Sequence, residues 1–300
     1  MPEAYFTTPP RARLMLLELL GNPAEGGERG GVRLAALVQL AADLGISDMA
    51  LRSAKVRLAQ GGLLTLVRRG RESLYELTER GRQEAERQRQ RLFTPTEAWW
   101  DGAWYVVVLS VPEARRDIRD RMRKELSWMG FGSPSSGLYI SPHDGRAQAV
   151  ELARELDAVA YIQAYRAQAS WPENPRELVA RAWGNLSDVN ARYGVFLDRF
   201  AARLVRCRSE AAAGQLADRD AFRLQFALTT QYRHCLYEDP DLPLDLLPAA
   251  WNGVAARLLF REFHGLVNPG ALRYFDAVSE GLASEAESRP RSSAPVIAAA

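Results

Sequence analysis

Cysteine is nearly missing from this chain. The two present, Cys207 and Cys235, lie in stretches of helical pattern and share no ligand spacing. That excludes a disulfide framework and a thiolate metal site, and it points to buried free thiols in a reducing cytoplasm. Histidine is almost as scarce, and His143, His234 and His264 stand too far apart in sequence for paired metal ligands. His234 could meet Asp239 and Asp241 at a cation, but a histidine ending a helix before a polar turn explains it more simply. The Gly26-Gly27 and Gly30-Gly31 pairs flank Glu28-Arg29 in an interhelical loop and form no phosphate loop. A Gly-x-Ser-x-Gly elbow is also missing. We therefore expect no catalytic residues, no cofactor and no bound metal. No apolar run reaches membrane-spanning length, and the chain does not open on a basic stretch followed by an apolar block. The expectation is a soluble cytoplasmic protein.

Net charge is also small, with 39 basic against 37 acidic side chains, but it is unevenly placed. Residues 1–95 hold 15 basic and 11 acidic side chains, a net +4; the remainder holds 24 and 26, a net −2. Arg52, Lys55, Arg57, Arg68, Arg69 and Arg71 form a run with no acid between them. Such a stripe suits neutralising DNA phosphates, whereas the plain alternative is a solvated face on an arginine-rich protein.

The pattern around that stripe is more telling. An amphipathic helix starts at Arg33 with Leu34, Leu37, Val38, Ala41 and Leu44 at helical spacing, and Gly45-Ile46-Ser47 breaks it. A second helix opens at Asp48 and keeps Leu51, Ala54 and Leu58 on one side. Its opposite side carries Met49, Arg52, Ser53, Val56 and Gln60, with Lys55 and Arg57 on the flanks. After Gly61-Gly62 comes a hairpin pattern: Leu63 to Val67, a tip of Arg68-Arg69-Gly70-Arg71, then Ser73 to Leu77. Helix, turn, basic helix and basic hairpin read together as a winged helix-turn-helix. Ser47, Met49, Arg52, Ser53, Lys55, Val56, Arg57 and Gln60 are the expected contacts of the second helix in the major groove. Arg68, Arg69 and Arg71 are expected to grip phosphate or minor groove.

The chain divides into three domains and a tail. Residues 1–92 form the DNA-binding domain, closed by a connector helix from Thr78, its expected N-cap, to Leu92. Residues 93–170 give strand, helix, strand, strand, helix, strand. The strands are Trp104 to Ser110, a weak one at Phe131, Leu138 to Ser141, and Ala158 to Tyr165. A turn is read at Ser133 to Gly137, and Ile118, Met122, Leu126 and Met129 as the buried side of the first helix, Pro112 to Trp128. This order is ferredoxin-like, with helices on one sheet face and the other free for a partner. Residues 171–284 are helical: Asn185 to Arg206, Asp220 to Tyr237, Trp251 to Leu266, and a last helix after Pro269. Residues 285–300, rich in Ser, Pro and Ala, are expected to be disordered. The fold class is α+β, multidomain.

Several long stretches in order resemble the PaaX family of bacterial repressors of phenylacetic-acid catabolism. They are Gly45-Ile46-Ser47 with the Arg52 and Arg57 helix, Trp100-Asp101-Gly102-Ala103-Trp104 with Val111-Pro112-Glu113, and Leu126 through Gly132. Tyr139-Ile140-Ser141-Pro142 follows, then Asp239-Pro240-Asp241-Leu242-Pro243 through Leu246-Leu247-Pro248 to Trp251-Asn252-Gly253, where Asn252 replaces the family's usual proline. The resemblance covers Arg13 to about Val278. It implies a homodimeric repressor on a palindromic double-stranded operator, released by a coenzyme A thioester such as phenylacetyl-CoA. Such an effector needs cations for its phosphates and an apolar slot for its acyl group; Trp183, Arg192, Tyr193, Phe196 and Trp251 are the candidates, and helical spacing equally makes the aromatics core. The middle domain also resembles the small ferredoxin-like nucleases of CRISPR adaptation. Those keep an acid where Ser110 ends the first strand here, and a hydroxyl cannot anchor a divalent cation as a carboxylate does. The rival readings are a ferredoxin-like protein that processes or holds RNA, and a co-regulator whose head makes only protein contacts.

Overall fold

The computed structural model describes residues 11–21, 31–70, 72–93, 99–168, 174–237 and 239–287. Two compact units divide it: residues 1–92, 201–231 and 260–300 form one, and residues 93–200 and 232–259 the other.

The first unit opens with α1 (Ala12–Gly21), β1 (Val32–Arg33), α2 (Leu34–Asp43) and α3 (Asp48–Gln60). β2 (Leu64–Arg69), β3 (Glu72–Leu77) and α4 (Glu79–Phe93) follow. The three strands form an antiparallel sheet in the order β1-β3-β2. Local chemistry sets each boundary. Gly45 turns the chain at φ 73°, and Ser47 caps α3 by accepting from the Ala50 amide at 3.3 Å. Gly62, at φ 67°, ends α3, while the Leu63 amide donates back to the Leu58 carbonyl. Thr78 caps α4 through a 3.0 Å bond from the Gly81 amide. The expected hairpin tip is shorter than its sequence suggested. Arg68 and Arg69 continue the ladder opposite Ser73 and Glu72, leaving Gly70, at φ 61°, in the turn.

The core of this unit is built by residues far apart in sequence. Leu16, Leu37, Leu40, Leu51, Ala54 and Leu58 pack in one apolar cluster with Phe222, Phe226, Ala271 and Phe275. The last four come from α9 (Asp218–Leu236) and α10 (Gly253–Glu287). α10 is one helix, not the two expected on either side of Pro269, which lies inside it. The ring costs the helix a hydrogen bond, but Val267 and Ala271 are buried on either side of it and hold the helix to its core. α10 also takes in residues 285–287 of the expected tail; residues 288–300 lie outside the described residues, as does the Gly26–Gly31 loop up to Gly30.

The second unit centres on a four-stranded antiparallel sheet, β4 (Ala103–Leu109), β5 (Gly132–Ser135), β6 (Leu138–Ser141) and β7 (Ile162–Gln168), in the order β5-β6-β4-β7. α5 (Arg116–Trp128) joins the first two strands and α6 (Arg146–Glu155) the last two. Alternation along β4 sorts the side chains. Val107 and Leu109 pack with Met122, Leu126, Ala149 and Leu152 of the two helices. Trp104 and Val106 turn the other way, together with Leu138 and Ile140 of β6. That second face was expected from sequence to be free, and it is covered. Val179 and Trp183, in and just after α7 (Pro175–Ala182), cover it, with Leu186 opening α8 (Leu186–Ala212) and Leu242, Leu246 and Leu247. Ser133, Pro134 and Ser135 of the expected Ser133–Gly137 turn belong to strand β5. Met129 is exposed, because α5 ends one residue before it and Gly130 reverses the chain at φ 88°.

Candidate nucleic-acid interface

The two faces of α3 differ sharply. Leu51, Ala54 and Leu58 are buried, while Met49 is 79% and Val56 55% exposed. Arg52, Ser53, Arg57 and Gln60 are exposed beside them. Two apolar side chains kept in water next to arginines have no folding role, since burial would have stabilised the chain by roughly 1.5–3 kcal/mol each.

The ion pairs of the head sharpen the picture. Arg33 pairs with Glu72, Arg69 with Glu76 at 3.0 Å, Arg82 with Glu79, Arg87 with Glu84 and Arg89 with Glu86. Among the described residues, Arg52, Arg57 and Arg68 have no carboxylate partner. The basic run in sequence is thus a set of cations of which Arg69 is the one seen paired with a carboxylate among the described residues, with Asp48 at the start of α3 the nearest acid along the helix. Lys55 is half-buried; its Nζ donates to the Tyr75 hydroxyl at 3.2 Å and lies 4.5 Å above that ring. Ser47 is spent on the α3 cap. Arg71 lies outside the described residues.

Sequence reading missed the group that holds this surface in place. Asp43, the last residue of α2, is buried, and its carboxylate accepts from the guanidinium of Arg219 (Nε at 2.9 Å) and from the Tyr274 hydroxyl. Arg223 stands 3.5 Å away and donates to the Asp43 carbonyl. Asp43 raises the pKa of Arg219, first through that hydrogen bond and then through its charge. The signal was a lone acid ending an otherwise apolar helix, but its partners lie 176 or more residues away.

The residues nominated for an effector fall in two groups in the second unit. Tyr193 and Phe196 are buried against Tyr232, and Trp251 meets Tyr193 edge-on at 5.7 Å. Trp183 lies 6.3 Å from Trp104, in an apolar cluster against which Trp251 also packs. The Arg192 carbonyl accepts from Cys235 Sγ at 3.7 Å. These aromatics form core. Asp239, which sequence reading placed in a plain turn, is buried and accepts from the Tyr193 hydroxyl and, at 2.8 Å, from the Asp241 amide. Burial pushes its pKa up against those bonds, and burial raises the Cys235 thiol to about 12. His143, not His234, reaches this turn, with Nε2 2.8 Å from the Asp241 carbonyl. Ser110, the residue after β4, is exposed, and its amide donates to the Tyr161 carbonyl. Among the described residues no group of three or more His, Cys, Asp or Glu could hold a metal, and no helix is long and apolar enough to cross a membrane.

Fold and patch together define a mixed α and β protein with two small antiparallel sheets, one of them flanked by a face of unneutralised cations. Three family profiles match it in sequence: "PaaX-like protein" over residues 11–81, "PaaX protein central Cas2-like domain" over 97–179, and "PaaX-like protein C-terminal domain" over 183–277. The transcriptional repressor PaaX of Escherichia coli (strain K12) is 32% identical over 256 residues, covering 84% of this chain and 79% of that protein. The chain belongs to the PaaX family. Among solved structures, uncharacterized protein Rv0674 from Mycobacterium tuberculosis is similar in fold, with a TM-score of 0.57 and 24% identity. That match covers 89% of this chain and 98% of the other.

Proposed function

We propose that this protein is a transcriptional repressor that binds double-stranded DNA. The observation that carries the reading is the exposed face of α3, where Met49 and Val56 stand beside Arg52 and Arg57, neither of which has a carboxylate partner among the described residues. In this reading residues 1–92 are a winged helix-turn-helix, with α3 in the major groove and the β2–β3 hairpin as the wing. Residues 93–170 are a ferredoxin-like domain, consistent with the strand order β5-β6-β4-β7, and residues 171–284 a helical domain. Arg52 and Ser53 read base edges. The name of the Escherichia coli relative, a transcriptional repressor, supports this assignment.

The finer reading is a cytoplasmic homodimer that controls a phenylacetate-type catabolic operon and is released by an acyl-CoA. Coenzyme A offers several phosphates and a long contact surface, so its binding can favour one arrangement of the protein over another. Release needs that difference: swinging a population from about 1:99 to 99:1 takes roughly 10⁴-fold preferential binding. The test begins with selection of bound duplexes from a random library, which yields a recognition sequence. Arg52→Ala is expected to weaken binding to it about tenfold to a hundredfold and to blur its sequence preference. Dissociation of that complex is then titrated with aryl acids and with their coenzyme A thioesters, and calorimetry reports direct binding. Wild-type affinity in Arg52→Ala would remove α3 as the reading element; release by a free acid with no thioester binding would overturn the effector class alone.

A further inference from the structure

The register of the hairpin sorts its charges between two faces. Leu66 stands opposite Tyr75 and Arg68 opposite Ser73. Residues two apart on a strand share a face, so Leu66, Arg68, Ser73 and Tyr75 lie together. Tyr75 shows which way that face looks, because its hydroxyl and ring receive Lys55 of α3. Arg69, one residue on, belongs to the opposite face with Glu72 and Glu76. There its guanidinium pairs with Glu76 at 3.0 Å, and Glu72 is taken by Arg33.

We infer that, within the described hairpin, the DNA contact is made by Arg68 with the half-exposed Leu66, and that Arg69 is not a phosphate ligand. Lys55 is a positioning residue: through Tyr75 it fixes the hairpin against α3. This rests on the DNA-binding reading above. A phosphate gains from a cation by releasing condensed counterions, and a cation already neutralised by Glu76 releases little. Arg68 has no carboxylate partner among the described residues and shares its strand face with Tyr75, the residue that receives Lys55 of α3. Leu66, 51% exposed beside it, offers an apolar surface for deoxyribose at the edge of a groove. Lys55 is half-buried against an aromatic ring, and using it as a phosphate ligand would sacrifice both contacts to Tyr75.

The test uses the full chain and a fluorescein-labelled duplex of random sequence, with anisotropy titrations between about 50 and 200 mM salt. Arg68→Ala is expected to lower the slope of log affinity against log salt by about one. Arg69→Ala is expected to leave the slope unchanged, and Glu76→Gln, which frees Arg69, to steepen it. Lys55→Ala and Tyr75→Phe are expected to weaken binding by a similar factor, with the double variant no weaker than either alone. Thermal melts establish that each variant is folded. Equal flattening by Arg68→Ala and Arg69→Ala overturns the sorting of the two faces while the DNA reading stands. A slope lowered by Lys55→Ala but not by Tyr75→Phe overturns the positioning role. If the wild-type chain fails to bind the duplex even at low salt, the DNA reading falls and this inference with it.

Discussion

Asp43 ties distant parts of the first unit together. Its side chain is 3% exposed and joins α2 to α9 through Arg219 and to α10 through Tyr274. A hydrogen bond to a charged group contributes roughly 1.5–3 kcal/mol, so Asp43→Ala should lower stability by at least that amount. A fall in thermal midpoint of several degrees checks it; an unchanged midpoint would mean that Arg219 and Arg223 gain as much from water. His264 is the second telling residue. It is half-buried near Gln225, at 3.3 Å, and the loss of water around the ring lowers its pKa from 6.5 to about 4. The unfolded chain therefore takes up a proton near pH 6.5 that the folded chain refuses until about pH 4. Stability from this group is complete above pH 6.5 and is lost as the pH falls toward 4, by about 3 kcal/mol in all. Asp239 works in the opposite sense, since a carboxyl whose pKa is raised in the fold stabilises at low pH and loses that contribution as the pH rises. Melting curves of wild type and His264→Gln between pH 4 and 7 separate the two effects. The wild type should lose more stability on acidification than the variant, and parallel curves would contradict the assignment.

At the scale of elements, the junction of α3, β2 and α4 is the tightest. A Cβ on Gly81 would lie 2.1 Å from the Leu63 carbonyl oxygen. Gly81→Ala, which would gain about 1 kcal/mol in an exposed helix, should here destabilise by about 1–3 kcal/mol through forced backbone movement. Chemical denaturation measures the sign. This junction also marks how far sequence reading reaches. α2, α3 and the hairpin were legible because their signals are local: an apolar stripe, a serine cap, glycines at positive φ. β5 was read mostly as turn because Gly-Ser-Pro-Ser has no strand propensity, and only pairing with β6 makes it extended. The break expected at Pro269 failed for a related reason, since packing against a distant core outweighs a local penalty. The covered sheet face was illegible because its cover, Val179 to Leu186 and Leu242 to Leu247, shows only generic apolar spacing. On the candidate interface, the exposed residues of α3 were legible from periodicity. The split between Arg68 and Arg69 was not, because it depends on strand register and on which arginine meets Glu76.

At the scale of the whole molecule, one head spans a short stretch of duplex. The proposed homodimer would read two half-sites about one helical turn, or a multiple of it, apart. Footprinting on the selected sequence is expected to show dyad symmetry, and light scattering at micromolar concentration a mass near twice that of the chain. A monomer with an asymmetric footprint would refute the dimer while leaving the contacts of α3 intact.

The Asp43 cluster has a consequence for how such heads can be exchanged. DNA-reading modules are commonly treated as interchangeable cassettes, cut at the linker that follows the last helix. Here a cut near Leu92 would strip Phe222, Phe226, Ala271 and Phe275 from the apolar cluster and leave Asp43 without Arg219, Arg223 and Tyr274. A chimaera that takes residues 1–92 from this chain must therefore also import the matching surfaces of α9 and α10. Recombination at the obvious linker meets the same constraint, because it separates side chains that share one core.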